Sequence, residues 1–418
     1  MYLQLLERRI REGTLRLRLP DGSTRTFGHG GPVAEWIIHA PRTLGRIARD
    51  PEYALGETYM AGEWDAGEGG LTGLLLLLMR NFPETPPRGW RRLAGPLARW
   101  IQQWNRIGRS YRNAAHHYDL DEWLFRRMLD REMHYSCAYF TRADMDLEAA
   151  QRAKCAHLAA KLCLRPGLRV LDIGCGWGGL ALHLAREHGV EVTGLTLSRE
   201  QLRVARARAE AAGLADRVRF ELQDYREHRG TYDRIVSVGM FEHVGRPQYL
   251  AFFDQVRAML APDGVAVLHT IGRLGPPGTT NPWIRRHIFP GGYNPALSEV
   301  AAAIERSGLF NCDVEVLRLH YARTLAAWQA RFQAHRAEAA ARYGERFCRM
   351  WEFYLAVCEA AFRERDLAVF QIQLARRRDA VPLTRDYLYR EAQSAGAEED
   401  ALLVEPPAGE SVRERAAG

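Results

Sequence analysis

The chain has 418 residues, of which 47% are apolar and 26% are charged, a composition typical of a soluble globular protein with room for two domains. Its longest apolar run, Leu71–Met79, is about half of what is needed to cross a bilayer. The seven cysteines form no C-x-x-C pair, which argues against a disulfide framework and a zinc site. The same cysteine pattern predicts no bound metal. Because the N-terminus carries charges where a signal peptide is apolar, we predict a cytoplasmic protein.

Residues 1–90 predict a small α+β domain. Apolar and polar residues alternate in TLRLRLPDGSTRTFG, where the Asp-Gly pair indicates a hairpin. Helical patterns follow, and they end at the proline-rich NFPETPPRG.

Residues 91–115 predict a basic linker. The net charge of the chain is +7, and no acidic residue occurs from Pro86 to Tyr118. The stretch interleaves tryptophan with arginine: Trp90, Trp100 and Trp104 with Arg88, Arg91, Arg92, Arg99, Arg106, Arg109 and Arg112. Such a segment suits the surface of an anionic membrane, and the alternative is a solvated linker helix whose tryptophans pack on a neighbour. No nucleic-acid-binding motif accompanies the arginines, so nucleic acid is not expected as a partner.

Residues 116–390 alternate strands with helices, the pattern of a doubly wound parallel sheet. Within them RVLDIGCGWGGLALHLA reads as a strand, a glycine-rich turn and a helix, which is typical of a nucleotide-type ligand site. Asp172 ends the strand, where its carboxylate can order the loop or meet a ligand's ammonium group. The polar, proline-containing residues 391–418 predict a disordered tail.

Glycine-rich turns also bind two other classes of ligand, nucleoside triphosphates and nicotinamide cofactors. No GK[ST] sequence follows it, which excludes a P-loop. A nicotinamide-binding unit needs an acidic residue at the tip of the second strand to hold a ribose diol. The chain has VEVTGLTLSREQ there, with no carboxylate at the tip of the strand, so the nicotinamide alternative is disfavoured.

Several motifs resemble the cyclopropane-fatty-acyl-phospholipid synthases and the related enzymes that modify mycolic acids. They occur in family order and are YSCAYF, VLDIGCGWGG, VTGLTLSREQ, GMFEHVG, LHTIG, IFPGG and HYARTLAAW. GETYMAGEWD, at residues 56–65, is similar to the N-terminal domain of the phospholipid-acting branch. One departure is HYDLDEW, at residues 117–123, where the family commonly has HYDLGND.

The resemblance implies a Rossmann-like class I methyltransferase fold that binds S-adenosylmethionine. It places the methionine end beside the YSCAYF loop, the ribose after the second strand and the adenine after the third. Carried over by position, the cofactor-binding residues are Tyr135, Ser136, Asp172, Gly174, Gly176, Thr196, Leu197, Gln201, Asp224 and Tyr225.

The resemblance also implies a bound bicarbonate ion as the catalytic base. Glu242, His269 and Tyr321 match the side chains that hold this ion, and Cys137 and Ile271 match positions that contribute through the backbone. A carboxyl group and an imidazole suit proton transfer near neutrality. Each position has a simpler structural interpretation: His269 as a loop cap, Tyr321 as a core aromatic and Cys137 as a small buried filler.

Cys358 matches a cysteine that some accounts of the family treat as a nucleophile. Methyl transfer to an alkene requires no enzyme nucleophile, and a cysteine on an apolar helix face is usually a buried small residue. Both interpretations of Cys358 are therefore kept open.

The resemblance implies a function: transfer of a methylene unit from S-adenosylmethionine to the cis double bond of an unsaturated phospholipid acyl chain, giving a cyclopropane. Two alternatives stay open: a related enzyme that makes a methyl or methylene branch, and an inactive lipid-binding protein. We expect a homodimer in the cytoplasm that contacts the inner face of an anionic membrane peripherally.

Overall fold

The computed structural model describes residues 2–83 and 122–389. The predicted basic linker and the predicted tail lie outside the described residues. In the part that is described, no helix is both long and apolar enough to cross a membrane.

The first part of the chain is a four-stranded sheet covered by helices. Its elements are α1 (Tyr2–Arg9), β1 (Gly13–Arg18), β2 (Thr24–His29), β3 (Val33–Ile38), α2 (Thr43–Arg49), α3 (Pro51–Met60), β4 (Trp64–Ala66) and α4 (Gly70–Asn81). The strands lie in the order β2-β1-β3-β4, with β1 and β2 paired as an antiparallel hairpin. Gly22 has a φ of +82° in the turn between them, a conformation that favours glycine. The predicted hairpin and α+β composition are confirmed.

The second part of the chain alternates strands and helices. Its elements up to the middle of the sheet are α5 (Glu122–Met128), α6 (Leu147–Lys161), β5 (Arg169–Ile173), α7 (Gly179–His188), β6 (Glu191–Thr196), α8 (Arg199–Ala211), β7 (Val218–Leu222) and β8 (Tyr232–Val238). Two short 3-10 turns, Phe241–His243 and Arg246–Gln248, come next. The remaining elements are α9 (Tyr249–Met259), β9 (Leu260–Arg273), α10 (Pro282–His287), α11 (Leu297–Ser307), β10 (Phe310–Leu317), α12 (His320–Ala334), α13 (Arg336–Tyr343), α14 (Glu345–Glu364) and β11 (Leu367–Ala375).

These strands form a seven-stranded sheet in the order β10-β11-β9-β8-β5-β6-β7. The five strands from β9 to β7 are parallel, as a doubly wound α/β sheet requires. The predicted sheet is confirmed with one difference: β11 is antiparallel to both β9 and β10. The chain passes from β10 to β11 through three helices, α12, α13 and α14, in place of the single crossover helix that commonly joins parallel strands.

Apolar residues cover both faces of this sheet. Along β5, Val170 belongs to the core beneath α6 and α7, whereas Leu171 belongs to the core beneath α9 and α11. A strand buried on both faces has no polar alternation, which is why Val170, Leu171 and Ile173 are all apolar and buried.

Residues 2–83 pack against α14 in the second part of the chain. Arg349, on α14, donates to the carbonyl oxygens of Tyr59 at 2.5 Å and Trp64 at 2.7 Å. Gly56 packs so closely on Trp283 that an added Cβ would lie 2.5 Å from the indole nitrogen. The apolar run Leu71–Met79 belongs to α4, whose inner leucines are buried in the core that it shares with α14. The docking therefore fixes α14, the helix that carries Cys358.

Candidate active site

A pocket lies at the carboxyl ends of β5, β6 and β8, where the strand order reverses. Neighbouring connections leave a crevice at this point of an open α/β sheet, which is the usual ligand site of such folds. All ten residues predicted to bind the cofactor line this pocket: Tyr135, Ser136, Asp172, Gly174, Gly176, Thr196, Leu197, Gln201, Asp224 and Tyr225.

The glycine-rich turn forms the floor of the pocket. The backbone N–H groups of Gly174 and Cys175 both donate to Leu195 O, at 3.0 and 2.9 Å, so the turn is held against the end of β6. Gly174 has a φ of +87°, and an added Cβ would lie 2.7 Å from the Met240 side chain. The turn can therefore approach a ligand closely, and α7 starts directly behind it.

Asp172 places a buried carboxyl group beside this turn. It is 1% exposed, and its Oδ2 has no hydrogen-bond partner among the described residues. Burial raises the pKa of Asp172 to about 7, while the charges of Lys154 and His134 oppose the rise. A buried carboxyl group without a partner is costly. A ligand ammonium group would satisfy it, so the methionine end of S-adenosylmethionine fits this position.

Thr196 and Gln201 form one hydrogen-bonded unit after β6. The Thr196 hydroxyl donates to Gln201 Oε1 at 2.8 Å and accepts from Ser198 N at 3.1 Å. Ser198 caps α8 by accepting from Gln201 N at 3.2 Å. The hydroxyl of Thr196 is thus used to position Gln201 and the start of α8, and Leu197 lies between them on the pocket wall.

Asp224 and Tyr225 line the far end of the pocket. Arg226 donates to Asp224 from Nε at 2.8 Å and from Nη2 at 2.6 Å, so both carboxylate oxygens have a partner within the chain. The Tyr225 ring contacts Phe252 edge-on, with the ring centroids 5.3 Å apart. This end of the pocket is therefore already hydrogen-bonded and rigid, unlike the end at Asp172.

A second cluster lies next to the pocket and is centred on Glu242. The Ile271 backbone N–H donates to Glu242 Oε1 at 2.6 Å, while Oε2 is buried with no partner among the described residues. Burial raises the pKa of Glu242 to about 7, and the hydrogen bond from the Ile271 N–H opposes this rise only partly. The Ile271 N–H therefore holds the carboxyl group of Glu242, a more specific role than the backbone contribution expected from the sequence.

His269 lies two residues before Ile271 on β9 and is buried. In the antiparallel register its partner on β11 is Gln371, whose Nε2 lies 3.1 Å from His269 Nδ1. Burial lowers the pKa of His269 well below its usual range, so the ring is neutral. With the amide in this orientation Gln371 donates to Nδ1, and Nε2 then carries the ring proton.

Tyr321 is the buried side chain that connects the remaining positions. Burial raises its pKa well above the usual range, and Tyr135, Cys137, Glu242 and Cys358 raise it further. These four groups are therefore within electrostatic range of its hydroxyl. The fold thus brings three of the predicted catalytic positions, Cys137, Glu242 and Cys358, around Tyr321 from chain segments that are far apart in sequence.

Neither of the predicted cysteines is a thiolate. Burial raises the pKa of Cys358 to about 12 and that of Cys137 beyond its usual range. The Cys137 thiol donates to Ala138 O at 3.3 Å, and Cys358 packs against the shared core. Because the thiolate is the reactive form, this environment favours the structural interpretation of both side chains.

The site also contains three residues that were not predicted from the sequence. Tyr354 on α14 shares a 2.8 Å hydrogen bond with the hydroxyl of Tyr135, Gln371 orients His269, and Lys154 lines the pocket. Gln371 had a usable signal, because it is a polar residue within the apolar strand LAVFQIQLA. Among the described residues no group of three His, Cys, Asp or Glu side chains is arranged to hold a metal ion.

Comparison with known proteins gives the same family as the sequence motifs. The family model "Mycolic acid cyclopropane synthetase" matches residues 105–372. The cyclopropane-fatty-acyl-phospholipid synthase of Escherichia coli K12 is 40% identical over 355 residues, covering 83% of this chain and 89% of that protein. A tuberculostearic acid methyltransferase of Mycobacterium tuberculosis is 38% identical over 389 residues, covering 89% of this chain and 90% of that protein.

A solved structure extends the comparison to three dimensions. A mycolic acid cyclopropane synthase complexed with SAH and CTAB matches with a TM-score of 0.60 and 36% identity, covering 63% of this chain and 97% of that one. The chain has the class I fold of S-adenosylmethionine-dependent methyltransferases. On its motifs, its sheet and these matches, the chain belongs to the cyclopropane synthase family.

Proposed function

We propose that the protein is a cyclopropane-fatty-acyl-phospholipid synthase that transfers a methylene unit from S-adenosylmethionine to the cis double bond of an unsaturated phospholipid acyl chain. The observation that carries this proposal is the position of Glu242. Its buried carboxyl group adjoins the cofactor pocket, and its Oε2 has no partner among the described residues. A methyl-donor pocket beside a dry proton-accepting cluster is what this reaction requires.

The pocket has the residues needed to hold the cofactor in one orientation. Asp172 would bind the methionine ammonium group, Gln201 the ribose, and Tyr225 the adenine through its ring. When bound, S-adenosylmethionine supplies an electrophilic methyl group. An alkene is a weak nucleophile, so the enzyme's main contribution is to align the two groups and exclude water.

We propose that aromatic rings around Tyr321 stabilise the positive charge that would develop on the acyl chain. Trp328 contacts both Tyr135 and Tyr321, with centroid distances of 5.2 and 5.8 Å. The faces of such rings stabilise a cation without forming a bond to it. Trp328 and Tyr321 are buried, which would also keep out the water that would quench the cation.

A bicarbonate ion is proposed as the base that removes the proton before ring closure. Glu242 is partly protonated at neutral pH, so Oε2 can donate to an anion, and neutral His269 offers its Nε2–H. Tyr321 supplies a hydroxyl in the same cluster. The proton taken up by the ion can then pass to the ionised form of Glu242. The chemistry of this donor set supports an anion here.

Analysis of the lipid product tests the proposed reaction. Purified protein, S-adenosylmethionine and vesicles of a monounsaturated phospholipid would be incubated, and the released fatty acids analysed by mass spectrometry and proton NMR. A product with one added CH₂ and no double bond is expected. A saturated methyl-branched acid, which carries one further pair of hydrogens, would favour the methyltransferase alternative instead. No product, together with measurable lipid binding, would favour the inactive lipid-binding alternative.

Peripheral contact with an anionic membrane and a homodimeric assembly are proposed alongside this reaction. The net charge of +7 and the arginine-rich residues 91–115 support attraction to anionic headgroups. Binding to anionic vesicles should weaken as salt rises, because screening acts over about 8 Å at physiological ionic strength. Replacing Arg88, Arg91, Arg92 and Arg99 with Gln should reduce that binding while affinity for the cofactor stays parental. Unchanged vesicle binding at low and high salt would contradict the proposed contact.

A further inference from the structure

Lysine is nearly absent from this chain, and both of its lysines lie on one helix. Of the 58 Lys and Arg residues only Lys154 and Lys161 are lysine, and both are buried on α6, about two turns apart. An ammonium group is a compact charge, whereas a guanidinium group is larger and planar. A chain that otherwise uses arginine therefore keeps lysine where a small buried cation is needed.

Lys161 has a partner that explains its burial. Its Nζ donates to Glu315 Oε2 at 2.5 Å, and His157 Nε2 lies 2.6 Å from the same oxygen. These contacts tie α6 to β10, and none of the three residues lines the cofactor pocket. Lys161 thus belongs to a structural ion pair.

Lys154 lacks such a partner. It is 1% exposed and lines the pocket, and its Nζ has one acceptor among the described residues, Ser136 Oγ at 3.2 Å. An ammonium group has three donors to satisfy. Within the part of the chain that is described, no hydrogen bond joins Lys154 to Asp172, whose Oδ2 is itself without a partner. A buried cation and a buried anion therefore face one pocket with hydrogen-bonding capacity left over.

We propose that Lys154 binds the α-carboxylate of the cofactor's methionine moiety, together with the Ser136 hydroxyl, while Asp172 binds the ammonium group on the same carbon. This assignment rests on the proposed function, because it requires an amino acid end in the pocket. The α-carbon of methionine carries one positive and one negative group, and the pocket wall offers Lys154 and Asp172 with hydrogen-bonding capacity left over, whereas both ring nitrogens of His134 already have partners. Binding would give both buried groups a hydrogen-bonding partner at once, whereas a buried charge without a partner is costly.

The assignment makes Lys154 a specificity residue. A ligand that keeps the adenosine and the amine but lacks the carboxylate would leave the ammonium group of Lys154 unsatisfied. A site built to bind a polar group rejects an analogue that lacks that group. Discrimination between the two ligands therefore reports on Lys154 and is independent of turnover.

The test compares S-adenosylhomocysteine with its decarboxylated analogue by titration calorimetry on the full chain. The parent should bind S-adenosylhomocysteine at least about tenfold more tightly than the analogue, and Lys154→Met and Lys154→Gln should lose most of that preference. Lys161→Gln is the matched control, since it removes the other buried lysine of α6 outside the pocket. Its preference for the carboxylate should stay parental. Circular dichroism and thermal unfolding would verify that each variant is folded.

The outcomes separate this assignment from the proposed function. Equal affinity of the parent for both ligands would overturn the assignment, even if neither Lys154 variant folds. The same holds if a folded Lys154 variant loses affinity for both ligands by the same factor or keeps the parental preference. Failure of the parent to bind S-adenosylhomocysteine at all would instead contradict the proposed function.

Discussion

Asp172 and Glu242 are two buried carboxyl groups in adjoining parts of the site, and their surroundings differ. Burial raises the pKa of each to about 7, and each has one oxygen without a partner among the described residues. Asp172 has the charges of Lys154 and His134 nearby, whereas the groups that act on Glu242 are hydrogen-bond donors without charge. In the proposed function, the first carboxyl group would bind the ammonium group of the cofactor and the second would meet an anion or a proton.

The two carboxyl groups are therefore expected to serve different steps, one the binding of the cofactor and the other the reaction. A change at Asp172 should act on cofactor affinity, and a change at Glu242 should act on turnover.

Replacing Glu242 with Gln should lower turnover by about 100-fold or more while cofactor affinity stays within about twofold of the parent. The amide can still accept from the Ile271 N–H, but it cannot take up or pass on a proton. Calorimetric affinity and product formation on monounsaturated vesicles would be measured side by side. Glu359→Gln, which alters a buried carboxyl group paired with Arg363 on α14, serves as the control. Near-parental turnover of Glu242→Gln would remove this residue from the chemistry.

Asp172→Asn should weaken cofactor binding by about 10- to 100-fold, because a charge-assisted hydrogen bond to the ligand ammonium group is lost. In the parent, the cationic ligand favours the ionised form of Asp172, so affinity should rise as pH increases through about 7. Binding near pH 7 should therefore release protons, which calorimetry in buffers of different ionisation enthalpy detects. The variant should lose this proton release. Proton release that persists in Asp172→Asn would assign it to another group.

Depletion of bicarbonate should lower the turnover of the parent by at least about tenfold, and added bicarbonate should restore it. The reason is that, in the proposed mechanism, Glu242 and His269 hold the ion that removes the proton. Activity would be followed in buffer purged of carbon dioxide, with depletion verified independently. Cofactor affinity, measured in the same buffers, should not change. A constant rate would move the role of base to Glu242 or His269.

The smallest effect is expected for Cys358→Ser, which should retain activity within about threefold of the parent. A thiol with a pKa of about 12 is protonated at neutral pH, and the reaction requires no covalent adduct with the enzyme. Turnover and thermal stability would be measured together, because the residue packs in the core that joins the two domains. Loss of activity in a folded variant with parental cofactor affinity would restore Cys358 as a nucleophile.

The two halves of the site were not equally predictable from sequence. The cofactor pocket follows consecutive strands, so Asp172, Gly174 and Thr196 occur in motifs whose place at the sheet edge could be predicted. The cluster around Glu242 combines segments from Cys137 to Cys358, and only the resemblance to a known family connected them. The cross-strand pairing of His269 with Gln371 depends on the reversal of β11, which no local pattern indicated.

Side-chain partners were the other limit. Sequence could place Asp224 at the adenine end of the pocket, but it could not reveal that Arg226 occupies both of its carboxylate oxygens. Likewise, Lys154 was visible only as a rare residue type, and its meaning came from burial beside Ser136 and Asp172. Positions in a fold follow from patterns, whereas hydrogen-bond partners follow from packing.

The most direct test of the central claim uses S-adenosylmethionine with a fully deuterated methyl group. Ring formation requires loss of one hydrogen isotope from the transferred carbon to the base near Glu242, so the parent should give a cyclopropane that carries a CD₂ group. Mass spectrometry and deuterium NMR of the fatty acids released from monounsaturated vesicles would count the retained label. A product that keeps an intact CD₃ group would contradict the account, because the carbon would then have been delivered as a methyl branch with no proton removed from it.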